Sequence, residues 1–184
     1  MGRALIVVDV QNDFCEGGTL AVPGGAALAR TLNGLINSAV YDAVVATRDF
    51  HVDPGGHFSE EPDFATSWPP HCRVGSPGAD FHPNLDLAPL AEVFSKGAYA
   101  AAYSGFEGTA ADGISLAAWL RSRDLDNVDV VGIATDYCVA ATARDAAGEG
   151  LQTRVLTAYS VGINEESVGR VLDELRDAGV EVIS

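Results

Sequence analysis

The sequence has little positive charge and no long apolar segment. Its 184 residues include 11 lysines and arginines against 26 aspartates and glutamates, giving a formal net charge of -15. Nucleic acids and anionic lipid surfaces are bound by basic patches, so this balance argues against both as partners. No apolar run approaches the ~20 residues of a membrane span, and the run after Met1 meets Asp9 too early for a signal peptide. We therefore expect neither a membrane protein nor a secreted one.

Cysteine is also scarce, with Cys15, Cys72 and Cys138 as its only members. An odd count without framework spacing argues against a disulfide scaffold. Free thiols are typical of a reducing compartment, so the sequence predicts a cytoplasmic protein.

Lysine is scarcer still, because Lys96 is the only one in the chain. The other ten strongly basic side chains are all arginines, and lysine and arginine are not interchangeable. A lysine ammonium is compact and can change its pKa when buried, whereas a guanidinium stays charged. This pattern favours a specific role for Lys96, although chance could also leave one lysine anywhere.

Continuous apolar runs alternate with helix-like stretches along the chain. Strands that are apolar on both faces, separated by helices, indicate a parallel sheet covered on both sides. We predict one domain spanning residues 1–184, an α/β fold with an open, doubly wound parallel β-sheet flanked by helices on both faces. The predicted strands are Ala4–Val10, Ala43–Thr47, Ala91–Phe94, Val128–Ala134, Val155–Ala158 and Val180–Ile183, and the predicted helices are Ala26–Val40, Gly113–Arg123, Tyr137–Ala147 and Glu165–Asp177.

All four histidines lie in the long connection over residues 50–88, which interrupts this alternation. Long loops in compact domains are usually functional, and ligands of open α/β sheets bind at the carboxyl ends of the strands. The spacing Asp49-x-His51-x5-His57-x13-His71 offers one carboxylate and three imidazoles at such an end. Imidazole favours a divalent transition metal over Mg²⁺ or Ca²⁺. His82 is predicted to lie outside the site, because a turn rich in glycine and proline precedes it.

Cys138 follows a predicted strand and opens the next helix. The helix dipole and free N–H groups there would lower the pKa of a thiol and stabilise an oxyanion. Together with Asp9 and Lys96, Cys138 would complete an acid–base–nucleophile set. An equal alternative is that Cys138 is a small buried apolar residue without a chemical role. Cys15 and Cys72 lack this setting, but Cys72 adjoins His71 and is a weaker candidate for the metal edge.

Aromatic side chains are candidates for a pocket that holds a flat ligand, with ordinary packing as the alternative for each one. They are Phe14, Trp68, Tyr99 and Tyr103.

Five dispersed motifs, in order and in one register, resemble the nicotinamidase/pyrazinamidases of the isochorismatase-like cysteine hydrolase superfamily. The similarity covers essentially the whole chain. The motifs are Leu5-Ile6-Val7-Val8-Asp9-Val10-Gln11-Asn12-Asp13-Phe14, Asp49-Phe50-His51, Trp68-Pro69-Pro70-His71-Cys72, Lys96-Gly97 with Tyr103-Ser104-Gly105-Phe106, and Val131-Gly132-Ile133-Ala134-Thr135-Asp136-Tyr137-Cys138-Val139.

The resemblance implies hydrolysis of nicotinamide to nicotinate and ammonia, and of pyrazinamide to pyrazinoate, in NAD salvage. It implies a small aromatic amide as substrate and one divalent transition metal, Zn, Fe or Mn. The oligomeric state, monomer or small homo-oligomer, stays open. The implied residues are Asp9, Lys96 and Cys138 as catalytic triad, the backbone N–H groups of Ala134 and Cys138 as oxyanion hole, Asp49, His51, His57 and His71 as metal ligands, and Phe14, Trp68, Tyr103, Ile133 and Tyr137 around the substrate.

Tyr137 departs from the family pattern, in which histidine often stands beside the nucleophile. A phenol is bulkier and not cationic near neutral pH, so ring selectivity is the property most open to change.

Two alternatives compete with this interpretation. A phospho-accepting receiver-like module would also use Asp9, Asp49 and Lys96, but it leaves three histidines and Cys138 without roles. Within the same fold, isochorismate, N-carbamoylsarcosine or ureidoacrylate could be the substrate. The complete set of one aspartate and three histidines favours the nicotinamidase branch.

Overall fold

A computed structural model describes residues 2–184 and contains one parallel sheet. The strands follow the order β3-β2-β1-β4-β5-β6 once they are numbered along the chain, and all neighbouring pairs are parallel. The prediction of an open parallel sheet with helices on both faces is confirmed. The elements are β1 (Gly2–Val8), α1 (Gly25–Ile36), β2 (Ala43–Asp49), β3 (Glu92–Lys96), α2 (Leu116–Arg121), β4 (Leu125–Ile133), α3 (Ala140–Gly148), β5 (Gln152–Val161), α4 (Glu165–Asp177) and β6 (Glu181–Ile183).

The central strand β1 explains why its sequence is a continuous apolar run. Ile6 and Val8 face the core formed with α2, α3 and α4, whereas Leu5 and Val7 face the core formed with α1. All four side chains are fully buried. Burying one such side chain contributes roughly 1.5–3 kcal/mol, so both faces of the sheet stabilise the fold.

Three helices are shorter than predicted, and one of them is α3, which begins at Ala140 rather than Tyr137. The helix α2 begins at Leu116 rather than Gly113, because Gly113 has a φ of 87° and the Ser115 side chain caps the helix by accepting from the Ala118 N–H. The helix α1 ends at Ile36 instead of Val40. Among residues 2–184, no helix combines the length and apolar character needed to cross a membrane.

The strand β5 is longer than the predicted Val155–Ala158. It pairs with β4 from Gln152 opposite Asn127 to Val161 opposite Ile133, with an irregularity between Val130 and Gly132. Both ends of β5 are polar or half-exposed, so the apolar run marks only its middle.

The crevice at the carboxyl ends of β1 and β4 is where the chain changes direction across the sheet. From β1 the chain adds β2 and β3 on one side, and it then returns to add β4 on the other. Gly132 in β4 approaches β1 so closely that a Cβ would lie 2.2 Å from the Val8 carbonyl oxygen, and its φ is +121°. Only glycine fits there. Such a switch point is the expected place for a ligand.

Candidate active site

Three ionisable side chains meet at this crevice. Lys96 Nζ lies 2.8 Å from Asp9 Oδ2 and 3.7 Å from Cys138 Sγ. All three residues are buried. The side chains that the sequence predicted to act together are therefore in contact.

The carboxylate of Asp9 is held from two sides. Its backbone has a φ of 50°, in the left-handed region that residues other than glycine seldom adopt. Thr47 Oγ1 donates a hydrogen bond of 2.6 Å to Asp9 Oδ1, and Lys96 approaches the other oxygen. Because Lys96 Nζ contacts both Asp9 and the Cys138 sulfur, this fixed carboxylate is the candidate general base for the thiol.

Lys96 also joins this group to the metal-binding residues that the sequence predicted. Its Nζ lies 2.5 Å from Asp49 Oδ1 and donates to the carbonyl oxygen of Ala102 at 3.1 Å. One ammonium thus lies between Asp9 and Asp49.

The electrostatics keep this ammonium charged. Burial by itself would lower the pKa of Lys96, but the charges of Asp49 and Asp9 outweigh burial and raise the pKa well above its ordinary value. Burial raises the pKa of Asp9, and Lys96 opposes that effect only in part. For Asp49, the charge of Lys96 outweighs burial and holds the pKa well below its ordinary value.

The prediction of a lowered thiol pKa is wrong for Cys138. Burial raises its pKa well above the ordinary value; Lys96 acts in the opposite direction, while Asp9 and Asp49 add to the rise. Cys138 also lies inside a five-residue π-helical turn, Thr135–Val139, that precedes α3, rather than at the start of α3 itself. Cys138 is therefore held as a thiol, and a nucleophilic role for it would need a base.

The two residues of the predicted oxyanion hole, Ala134 and Cys138, line one cavity. Ala134 precedes the π-helical turn in extended conformation, and its carbonyl oxygen accepts from the N–H groups of Tyr137 and Val139, each at 3.1 Å. N–H groups at the start of a helical segment lack intrahelical acceptors. This turn is therefore a suitable place for oxyanion donors.

Three buried histidines form a candidate metal centre. Ligand atoms of His51, His57 and His71 all lie within 4.8 Å of one another. Asp49 Oδ2 lies 3.5 Å from His51 Nε2 and 3.7 Å from His71 Nε2. His51 Nε2 and His57 Nδ1 are buried without a hydrogen-bond partner. Buried polar atoms are rarely left unpaired, so this donor set fits a divalent transition metal.

Backbone carbonyls orient two of these imidazoles. His51 Nδ1 lies 2.5 Å from the Gly97 oxygen, and His71 Nδ1 lies 2.8 Å from the Pro69 oxygen. A proton on each Nδ1 would leave both Nε2 lone pairs free, which is the usual arrangement of metal-binding histidines. Burial, followed by the neighbouring His71, lowers the pKa of His57 to about 4, and a neutral imidazole is the form that binds metal.

The remaining candidates lie elsewhere. His82 is outside the cluster, as predicted, and its Nδ1 accepts from the Asn84 N–H. Cys72 is not part of the described histidine cluster, and its sulfur lies 3.8 Å from the Gly78 carbonyl oxygen. Cys15 belongs to the core under α1, where burial raises its pKa to about 11.

A cavity of about 270 Å³ opens above Cys138 and reaches His57 and His71. Trp68 Nε1 donates to the Tyr103 hydroxyl at 3.0 Å, and the rings of Trp68 and Tyr137 meet edge to face at 5.2 Å. Tyr99, in contrast, is 73% exposed and does not line the cavity. The residues predicted to surround a substrate all line it: Phe14, Trp68, Tyr103, Ile133 and Tyr137.

Seven residues that line the cavity were not predicted from the sequence: Thr19, Leu20, Ala21, Val22, Phe64, Ala102 and Ile163. Phe64 has a φ of 55° in a turn where Asp63 accepts from the N–H groups of Thr66 and Ser67. An aspartate before threonine and serine is a turn signal, but it does not reveal that the turn faces the cavity. Ile163 is placed by a hydrogen bond from its N–H to Asp136 Oδ1, which no local pattern indicates.

Comparison with known proteins agrees with this geometry. A family model described as the isochorismatase domain matches residues 3–184. The chain belongs to the isochorismatase family. It is 59% identical to the nicotinamidase/pyrazinamidase of Mycobacterium tuberculosis over 98% of both chains. It is also 38% identical to the nicotinamidase of Escherichia coli, over 88% of this chain and 84% of that one. The resemblance to nicotinamidase/pyrazinamidases is confirmed, and the alternative of a receiver-like module is excluded.

Solved structures show the same relationship. The pyrazinamidase of Pyrococcus horikoshii in complex with zinc has a TM-score of 0.85 and 36% identity, covering 100% of this chain and 99% of that one. A structure of PnC1 from L. infantum in complex with nicotinate has a TM-score of 0.88 and 34% identity, covering 100% and 92%.

Proposed function

We propose that this isochorismatase-family protein is an amidase that converts nicotinamide to nicotinate and ammonia, and pyrazinamide to pyrazinoate, in NAD salvage. The observation that carries the proposal is the buried contact of Asp9, Lys96 and Cys138 at the floor of an aromatic-lined cavity. Relatives named nicotinamidase support the choice of substrate.

The chemistry begins with the Cys138 thiol. Asp9 takes the thiol proton as the sulfur attacks the carboxamide carbon, and the Lys96 ammonium stabilises the negative charge that builds on the sulfur as its proton leaves. The N–H groups of Ala134 and Cys138 donate to the tetrahedral oxyanion, and one such donor is typically worth 10²–10³ in rate.

Collapse of the tetrahedral intermediate breaks the carbon–nitrogen bond. Asp9 returns its proton to the leaving nitrogen, which departs as ammonia and leaves a thioester on Cys138. The same carboxylate then removes a proton from water, which attacks the thioester and releases the carboxylic acid and the thiol. One residue therefore serves as base, acid and base again.

Asp49, His51, His57 and His71 would hold one divalent transition metal, and Zn, Fe and Mn all suit these ligands. When bound, the metal would attract the ring nitrogen and so orient the substrate. The buried histidine atoms without partners support this assignment, as does the zinc in the Pyrococcus structure.

The lining of the cavity disfavours isochorismate as the substrate. Isochorismate carries two carboxylates, whereas the described residues around this cavity include Asp49 and no arginine. An uncharged aromatic amide would sit against Phe14, Trp68 and Tyr103 without an uncompensated charge.

The substrate assignment can be tested with a panel of compounds. Purified protein loaded with zinc should release ammonia from nicotinamide and pyrazinamide, and should leave isochorismate unchanged. Metal content is measured on the same sample. Hydrolysis of isochorismate alone, with no ammonia from either amide, would overturn the proposal.

A further inference from the structure

Gln11 is a fully buried polar side chain that the proposed chemistry does not use. It belongs to the first sequence motif, two residues after Asp9. Its side-chain amide makes three hydrogen bonds, and two of them go to the backbone of Asp49. Gln11 Nε2 donates to the Asp49 oxygen at 2.8 Å, and Gln11 Oε1 accepts from the Asp49 N–H at 2.8 Å.

The need for this contact follows from the conformation of Asp9. The pairing of β1 with β2 ends at Val8 opposite Thr47, because Asp9 adopts a left-handed conformation and the chain turns away. Asp49, at the last position of β2, pairs with Lys96 of β3 on its other side. Its N–H and carbonyl on the β1 side would therefore lack the backbone partners that a longer β1 would supply.

The amide of Gln11 takes the place of that missing backbone. The side-chain amide offers one acceptor and one donor to Asp49, as the backbone of a neighbouring strand would. Its second donor reaches the Ala79 carbonyl oxygen at 2.9 Å. A buried backbone group that loses its partner costs about 1–3 kcal/mol. Gln11 thus supplies hydrogen-bond partners to the Asp49 backbone at the point where the left-handed turn at Asp9 ends the pairing of β1 with β2.

We infer that Gln11 is a positioning residue for the metal ligand Asp49, and that it sets the affinity for the metal. Asp49 directs one oxygen to Lys96 and the other towards His51 and His71. A displacement of its backbone would disturb both contacts. This inference rests on the metal site of the proposed function.

The test compares Gln11→Glu with a matched control, Asn12→Ala. Glutamate keeps the shape and the acceptor for the Asp49 N–H but loses the two donors. Asn12 Nδ2 donates to the Pro77 oxygen at 2.7 Å, so its removal also frees the loop at residues 77–79 without touching Asp49. If Gln11→Glu does not fold, Gln11→Asn retains the amide on a shorter side chain and serves instead.

Zinc affinity is measured by chelator competition, well below the melting temperature, and the rise in melting temperature with zinc is recorded for each variant. Loss of a group that orients a metal ligand typically weakens binding 10–100-fold. We therefore expect zinc to bind at least ~10-fold more weakly to Gln11→Glu, with a smaller zinc-dependent rise in melting temperature and a KM for nicotinamide that rises more than kcat falls. Asn12→Ala should match the wild type.

A lower melting temperature in Gln11→Glu with unchanged zinc affinity would make Gln11 a packing residue and overturn the inference, while the proposed function would stand. Failure of the wild-type protein itself to bind zinc would overturn the metal site and this inference together.

Discussion

The replacement of Lys96 by arginine keeps the charge and changes only its shape. Lys96 Nζ contacts Asp9, Asp49 and the Ala102 oxygen within 3.1 Å, and its side chain is fully buried. A planar guanidinium does not fit between two carboxylates placed for a single ammonium. It would push Asp9 away from the Cys138 sulfur.

The expected loss can be estimated from general acid–base catalysis, which contributes roughly 10²–10⁴ in rate. We predict that Lys96→Arg lowers kcat/KM at least ~10²-fold, equivalent to about 2.7 kcal/mol of transition-state stabilisation. Because the site is closely packed, the larger side chain should also cost about 1–3 kcal/mol of stability, or roughly 2–12 °C for a chain of this size.

The assay is ammonia release from nicotinamide, with thermal unfolding followed on the same samples. Arg170→Lys is the matched control, because the Arg170 side chain is 66% exposed and its replacement should be silent. A stable Lys96→Arg protein with wild-type kcat/KM would mean that the single lysine is an accident of composition.

Three further predictions follow from the structure. His51→Ala should lose most bound metal and raise the KM for nicotinamide more than it lowers kcat; unchanged metal content by mass spectrometry would refute the ligand assignment. Burial raises the pKa of Asp129, but hydrogen bonds from Arg154 and Tyr41 outweigh burial and lower the pKa below its ordinary value. The stability that the Asp129 carboxylate contributes is therefore complete above the unfolded pKa of about 3.9, and it is lost as the pH falls through the folded pKa. The difference in melting temperature between the wild type and Asp129→Asn should therefore become smaller towards acidic pH. A difference that does not change with pH would contradict this role of the Asp129 carboxylate. Tyr137→His should change KM for pyrazinamide relative to nicotinamide with little effect on folding, and an unchanged ratio would separate Tyr137 from ring selectivity.

The parts of the fold that the sequence predicted well are those where one physical cause dominates. β1 reads as a continuous apolar run because both of its faces are buried, and the histidines lie in one window because a single loop delivers three of them. The limits of β5 and α2 were missed, since pairing partners and a glycine with positive φ determine them.

The same contrast between local and tertiary causes applies to the candidate site. The motifs identified Asp9, Lys96 and Cys138, but the pKa of Cys138 was predicted in the wrong direction, because the burial of the thiol beside two carboxylates is a tertiary property. Phe64 reaches the cavity through a distant turn, which no local pattern reports. The cytoplasmic location and the oligomeric state stay open predictions.

The central claim is that Cys138 is the nucleophile of an amidase. The most direct measurement is ammonia release from nicotinamide by zinc-loaded wild type and by Cys138→Ala, with Cys15→Ala as a control for a buried cysteine outside the site. We predict that Cys138→Ala stays folded and loses turnover by about 10⁶-fold, as expected for removal of a catalytic nucleophile, whereas Cys15→Ala keeps it. Full ammonia release by a folded Cys138→Ala protein would contradict the mechanism.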